Sequence, residues 1–176
     1  MPDDPDFSLL QRFCRGDSAA LGELASRYEQ PLLGLALGIV NNRELARDAV
    51  QDMWIRVMRG APQFQASSTV RTWMYRILIN RAITLRQATG NKRAAILPDD
   101  LPDARPCAEI DDADRVRAAV RELPDNQQLI LLLSYHEGLT HESAADVLGI
   151  PLGTLKSRLH AALTALRVRL GAEVAP

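Results

Sequence analysis

The sequence predicts an all-α protein of two small helical domains joined by an acidic flexible linker. Three observations carry that expectation. Ala, Leu and Arg dominate the 176 residues, and alternating runs of Val, Ile and Thr are scarce. Apolar residues recur at helical spacing on both sides of a central stretch. That stretch, residues 89–112, holds Gly90, Pro98, Pro102 and Pro106 with six acids against three bases. It interrupts any helix and repels itself.

The N-terminal domain, residues 7–88, reads as four helices. Asp17 is an N-cap residue for the first, whose apolar stripe runs Ala20, Leu21, Leu24 and Tyr28. The apolar segment Leu32 to Val40, after Pro31, is expected as a separate buried helix ended by Asn41-Asn42. The third begins near Glu44, carries Ala46, Ala49, Val50, Met53 and Val57, and stops at Gly60-Ala61-Pro62. A polar segment, Gln63 to Thr69, leads to the fourth, Val70 to about Gln87, with Val70, Trp73, Met74, Ile77, Leu78 and Leu85 on one stripe.

The C-terminal domain, residues 113–170, opens with a helix before Leu123-Pro124. A second is expected from Asn126 to His136, ended by Gly138. Thr140 then caps a short helix, His141 to Leu148, with Glu142 suited to its positive end. Gly149 sits where the chain must turn sharply, and Pro151 marks the entry of a longer helix. In that helix Leu152, Leu155, Leu159, Leu163, Leu166 and Leu170 form an apolar stripe, while Thr154, Lys156, Ser157, Arg158 and His160 lie opposite. Small Ala144 and Ala145 permit a close crossing. The pattern is a helix-turn-helix, whose second helix enters the DNA major groove by its N-terminal residues.

Charge distribution agrees. The net charge is −1, which argues against bulk attraction to nucleic acid. Yet residues 71–86 contain Arg71, Arg76, Arg81 and Arg86 and no acid, and residues 154–170 contain Lys156, Arg158, Arg167 and Arg169 and no acid. Local basic stripes on a near-neutral chain suit a specific phosphate-contacting surface.

Other classes find little support. Cys14 and Cys107 fit no ligand spacing and are expected as free thiols. His136, His141 and His160 are spread out, and His141-Glu142 starts a zinc-protease pattern that fails at Ala145. No phosphate-binding Gly loop or nucleophile elbow occurs, so neither catalysis nor a cofactor or metal is expected. Met1 to Asp6 is acidic and Pro-rich, and Leu32 to Val40 falls short of the ~20 residues of a membrane span. A cytoplasmic location follows as an expectation.

The segment Leu123-Pro124 through Glu137-Gly138-Leu139 to Gly149-Ile150-Pro151-Leu152-Gly153-Thr154-Leu155-Lys156-Ser157-Arg158-Leu159-His160 resembles region 4 of bacterial sigma factors of the extracytoplasmic-function type. Asp48-Ala49-Val50-Gln51-Asp52-Met53-Trp54-Ile55-Arg56-Val57 and Arg71-Thr72-Trp73-Met74-Tyr75-Arg76-Ile77 with Asn80 resemble region 2 of that family. The two motifs, in order and joined by an acidic linker, span nearly the whole chain.

The resemblance implies a protein that binds RNA polymerase core and directs it to promoter DNA. Thr154, Lys156, Ser157, Arg158 and His160 would read the −35 duplex; Ala161 replaces an Arg common in the family and shrinks that basic surface. The loop Phe64 to Thr69, with Gln65, Ser67 and Ser68, would capture a base flipped from the −10 strand. Such polar loops offer adaptable hydrogen bonds to an unstacked base. Arg71 and Arg76, with Arg81, would follow the strand's backbone, and Trp73 or Tyr75 would stack, although Trp73 also suits core packing on its stripe. Val70 replaces an aromatic residue common in the family, which implies a weaker wedge. Asp48, Gln51, Asp52, Trp54, Ile55 and Arg56 would face core polymerase. The linker would thread toward the RNA exit path, and an anti-sigma factor is a further possible partner in this family. Rival readings are a dimeric operator-binding regulator and a protein-binding helical adaptor. The acid-free stripe beside Trp73 and Tyr75 disfavours the first, and the basic recognition helix disfavours the second.

Overall fold

A computed structural model describes residues 4–89 and 110–171, with side chains described from residue 115 in the second segment. Every regular element among the described residues is helical. Most of the expected linker, 89–112, lies outside them, so its expected flexibility and path do too.

The first element is a helix that the sequence reading passed over, α1 (Pro5–Cys14). Its start is Asp4, whose carboxylate accepts from Asp6 N at 3.0 Å, followed by a proline in the first turn. An N-cap carboxylate and a proline at N1 form a standard start signal, hidden here in a stretch that reads as an acidic, Pro-rich tail.

The second correction concerns Pro31. Helix α2 (Ser18–Val40) runs straight through it from the Asp17 cap, where two separate helices were expected. An interior proline costs about 3 kcal/mol. Pro31 is exposed, while Leu32, Leu35, Ala36, Ile39 and Val40 beyond it are wholly buried. At about 1.5–3 kcal/mol for each large side chain, that burial outweighs the break. Asn41 ends the helix in a left-handed conformation (φ 48°). Asn42 then caps α3 (Arg43–Gly60), accepting from Glu44 N and Leu45 N at 2.9 and 3.0 Å.

A 3-10 turn (Ala61–Gln63) and an extended loop lead to α4 (Val70–Ala88). Thr69 caps α4 through Thr72 N at 3.1 Å, and Asp4 accepts from Val70 N at 3.2 Å. The Asp4 carboxylate thus serves two helix starts, its own and one 66 positions beyond it.

The C-terminal half comprises α5 (Ile110–Arg121), α6 (Asp125–Leu131), α7 (His141–Leu148) and α8 (Leu152–Leu170). Beyond Leu131 the expected α-helix widens into a π turn, Leu132–His136, closed by Glu137 N donating to Leu132 O at 2.9 Å. Such a turn re-aims the residues that follow and often marks a functional position.

Helix α4 is the hub of the molecule. It packs on α2 and α3 on one side and on α7 on the other. Both of its sides are therefore buried, and the buried side chains of the two halves form one continuous core.

Candidate nucleic-acid interface

The turn between α7 and α8 is built from local signals. Thr140 accepts from Ser143 N at 3.1 Å. Gly149 adopts φ 64°, and Ile150 N donates back to Ala145 O at 3.1 Å, which closes the C-terminus of α7. Ala144 and Ala145 let α8 approach, and Leu155, Leu159 and Ala162 fill the contact. The far face of α8 is left to solvent: Lys156, Ser157 and His160 are exposed and Arg158 and Thr154 partly so. The start of α8 has no side-chain cap. Its first-turn N–H groups are therefore open to an anion such as a phosphate.

The loop before α4 mixes anchored and open groups. Phe64 stacks on Trp73 with centroids 4.8 Å apart and tilts against Phe7 at 6.0 Å. Trp73 in turn lies on Gly60, where a Cβ would stand 3.0 Å from the ring. Core packing therefore accounts for most of the Trp73 surface. Ala66 takes φ 52°, a conformation a non-glycine residue holds only under local constraint. Gln65 and Ser67 are exposed, whereas Ser68 bonds Thr69 O at 3.4 Å and Thr69 is spent on its cap.

The four arginines of the acid-free stripe, three of them expected to follow a DNA strand, have separate fates. Arg76 is exposed. Arg81 pairs with Asp52 at 2.6 Å and ties α4 to α3. Arg86 is buried and meets Asp125 at 3.1 Å. Arg71 donates to Glu137 O and lies 3.7 Å from its carboxylate, with its guanidinium 5.1 Å above the Tyr75 ring. Tyr75 is wholly buried, and its hydroxyl donates to Glu137 Oε2 at 2.6 Å. In this arrangement Tyr75 has no face to offer a base, contrary to the stacking role expected for it. Burial, and then the Glu137 charge, push its hydroxyl above the usual tyrosine range.

Along α3, Asp48, Gln51 and Arg56 are exposed and Ile55 partly so, with exposed Met58 beyond them. Trp54 packs partly into the core. Asp52, expected to face a partner, is partly exposed and pairs with Arg81. The sequence reading gave no role to Glu137 or Asp6, and took Asp125 only as part of a helix start. Buried Asp6 accepts from Arg27 and from the Tyr28 hydroxyl.

Among the described residues no group of three or more His, Cys, Asp and Glu is placed to hold a metal ion, and no helix is long and apolar enough to cross a membrane. The comparisons with known proteins settle the family. Residues 24–91 match Sigma-70 region 2, and residues 113–166 match Sigma-70, region 4. The ECF RNA polymerase sigma factor SigM of Mycobacterium tuberculosis is 32% identical over 167 residues, covering 94% of this chain and 85% of SigM. The chain belongs to the ECF RNA polymerase sigma factors. The RNA polymerase sigma-H factor of Pseudomonas aeruginosa is 29% identical over 183 residues, covering 93% and 92% of the two chains. Two solved structures share the sigma factor's fold. CnrH in complex with the cytosolic domain of CnrY has a TM-score of 0.71 at 21% identity, covering 96% of this chain and 98% of that one. RpoE with the anti-sigma factor NepR, from Bartonella quintana, has a TM-score of 0.67 at 22% identity, covering 87% and 98%. A sigma factor binds RNA polymerase and directs it to promoters, and this chain is a transcription initiation factor of that kind.

Proposed function

We propose that this sigma factor grips a promoter at two points while held on core polymerase. The carrying observation is the two-sided character of α8. Leu155 and Leu159 bury one face, and the opposite face presents Thr154, Lys156, Ser157, Arg158 and His160 with no acid on the helix. That face reads −35 duplex in the major groove, and the uncapped first turn holds a backbone phosphate. The loop from Phe64 to Thr69 takes a base from the −10 strand, with Gln65 and Ser67 as the free polar groups and Arg76 on the adjoining backbone. The exposed stretch of α3, Asp48, Gln51, Ile55 and Arg56, faces core polymerase, with Met58 at its apolar edge.

The protein acts by binding, without catalysis or a cofactor of its own, and works in the cytoplasm beside its polymerase. Residues 7–88 and 113–170 are its two functional domains. An anti-sigma factor is a fitting partner, since RpoE of Bartonella quintana is held by one.

Run-off transcription with purified core on a library of genomic promoters tests the reading. Transcripts that depend on the added chain, and that share one −35 and one −10 element upstream, are the expected result. Tight operator binding without polymerase, and no run-off product, would replace the reading with that of a dimeric regulator.

A further inference from the structure

We propose that the first turn of α1 sets the span of the −10 loop, with Asp4 and Phe7 as positioning residues for base capture. The inference rests on the assignment of the loop from Phe64 to Thr69 to the −10 strand. It names what holds that loop in its binding shape.

The loop is tied to α1 at both ends. At its start the Phe64 ring lies against Phe7, with centroids 6.0 Å apart, and on Trp73 at 4.8 Å. At its far end Val70 N, in the first residue of α4, donates to Asp4 Oδ2 at 3.2 Å. Asp4 Oδ1 meanwhile accepts from Asp6 N at 3.0 Å, so the same carboxylate also starts α1. Positions 4 and 7 are one helical turn apart and therefore neighbours in space. That single turn spans the mouth of the loop. Helix α1 is itself fixed to the body of the domain. Leu9 and Leu10 are buried, and Asp6, also buried, accepts from Arg27 and from the Tyr28 hydroxyl of α2.

These ties leave the middle of the loop free to work. Gln65 and Ser67 are exposed between them, and Ala66 holds φ 52°. A non-glycine residue keeps that conformation only where its surroundings over-determine it, and the two anchors do so here. A loop already held in its bound shape loses less freedom on taking a base, and it separates one base from another more sharply. Neither Asp4 nor Phe7 has to touch DNA for this. Both precede residues 24–91, the segment that matches Sigma-70 region 2.

The test uses holoenzyme made from the full chain and core polymerase, on a promoter that the parent transcribes in run-off. Single-base versions cover each −10 and each −35 position, and selectivity is the ratio of run-off between preferred and substituted base. Asp4→Asn keeps a capping oxygen for α1 but has one acceptor oxygen where the carboxylate has two, so the tie to Val70 is lost. Phe7→Leu keeps an apolar contact and removes the ring. Ile39→Val, a buried methyl lost near the end of α2, is the destabilised control. Trp73 is one of two tryptophans, so its emission in a Trp54→Phe background reports the Phe64 contact directly.

The chain carrying Asp4→Asn and Phe7→Leu is expected to lose about fivefold or more of its −10 selectivity. Its −35 selectivity stays at the parent's value, and acrylamide quenches Trp73 more readily. Ile39→Val keeps both selectivities despite a lower melting temperature. Unchanged −10 selectivity in the doubly substituted chain would overturn the proposal. An equal loss in Ile39→Val would also overturn it, by assigning the effect to stability. Where the double variant melts below the assay temperature, Asp4→Asn alone decides by the same criteria. Gln65→Ala with Ser67→Ala keeps the two readings apart. If that pair leaves −10 selectivity intact, or the parent gives no run-off, the loop assignment falls and this inference with it. If that pair lowers selectivity and the α1 variants do not, only the role of α1 falls.

Discussion

Lys156 and Arg158 stand on the exposed face of α8 one turn beyond its uncapped start, and among the described residues neither is an ion-pair anchor of the fold. Their replacement by alanine is therefore expected to weaken promoter use and leave core binding intact. Each lost phosphate contact removes about one unit from the slope of log affinity against log salt. Filter binding of the assembled holoenzyme across a salt series measures it. The reverse pattern, weaker core binding with normal salt slope, is expected of Gln51→Ala with Arg56→Ala on α3, read by co-elution with core. Asp52 is left out of that test because it also braces the fold. Its 2.6 Å pair with Arg81 joins α3 to α4, so Asp52→Ala should cost at most about 1 kcal/mol of stability, as for other partly exposed pairs.

The helix-turn-helix depends on two positions of different kinds. Leu155 is wholly buried under α7, and Leu155→Ala is expected to cost about 3 kcal/mol in urea denaturation through lost transfer energy and the cavity left behind. A methyl group added at Gly149 would meet nothing within 4 Å, so the constraint there is conformational rather than steric. At φ 64°, Gly149→Ala should cost about 1 kcal/mol and lower promoter affinity by tilting α8. Both elements were legible beforehand, because a cap, a left-handed turn and a leucine stripe each act within a few residues. The same locality explains two failures. The Asp4-Pro5 start of α1 was masked by its acidic surroundings. Pro31 was read by its local cost, although distant burial of Leu32, Leu35 and Ile39 decides that stretch.

At the scale of the molecule, the interior carries tyrosine hydroxyls set against carboxylates. Tyr28 beside Asp6 and Tyr75 beside Glu137 are both pushed above the usual tyrosine range, by burial first and then by those acids. A raised folded value favours the protonated, neutral phenol in the native state. The resulting stability is fully present below about pH 10, the unfolded value, and is lost as pH rises through the raised native one. The denaturation midpoint is therefore expected to be insensitive to tyrosine ionisation near neutrality and to fall steeply above pH 10. Tyr28→Phe with Tyr75→Phe should flatten that alkaline fall. A midpoint that drops equally in the substituted chain would assign it to other groups.

The sequence by itself determined the helical class, the caps at Asp17 and Thr140, the turn at Gly149 and the two-faced α8. Each is a matter of periodicity or of hydrogen bonds spanning two to four residues. Only the tertiary structure decided what α4 touches. Tyr75 and Glu137 are 62 positions apart, Arg71 and Glu137 66, and no periodicity within either segment encodes their meeting. The acid-free stripe on α4 is expected as a phosphate-contacting surface, and in the structure Arg71, Arg81 and Arg86 face carboxylates of the chain itself. Which anions it holds depends on how the two halves close. That closure follows from burying the remaining side of α4 against α7, a long-range packing event that carries Glu137 and Asp125 onto the arginines.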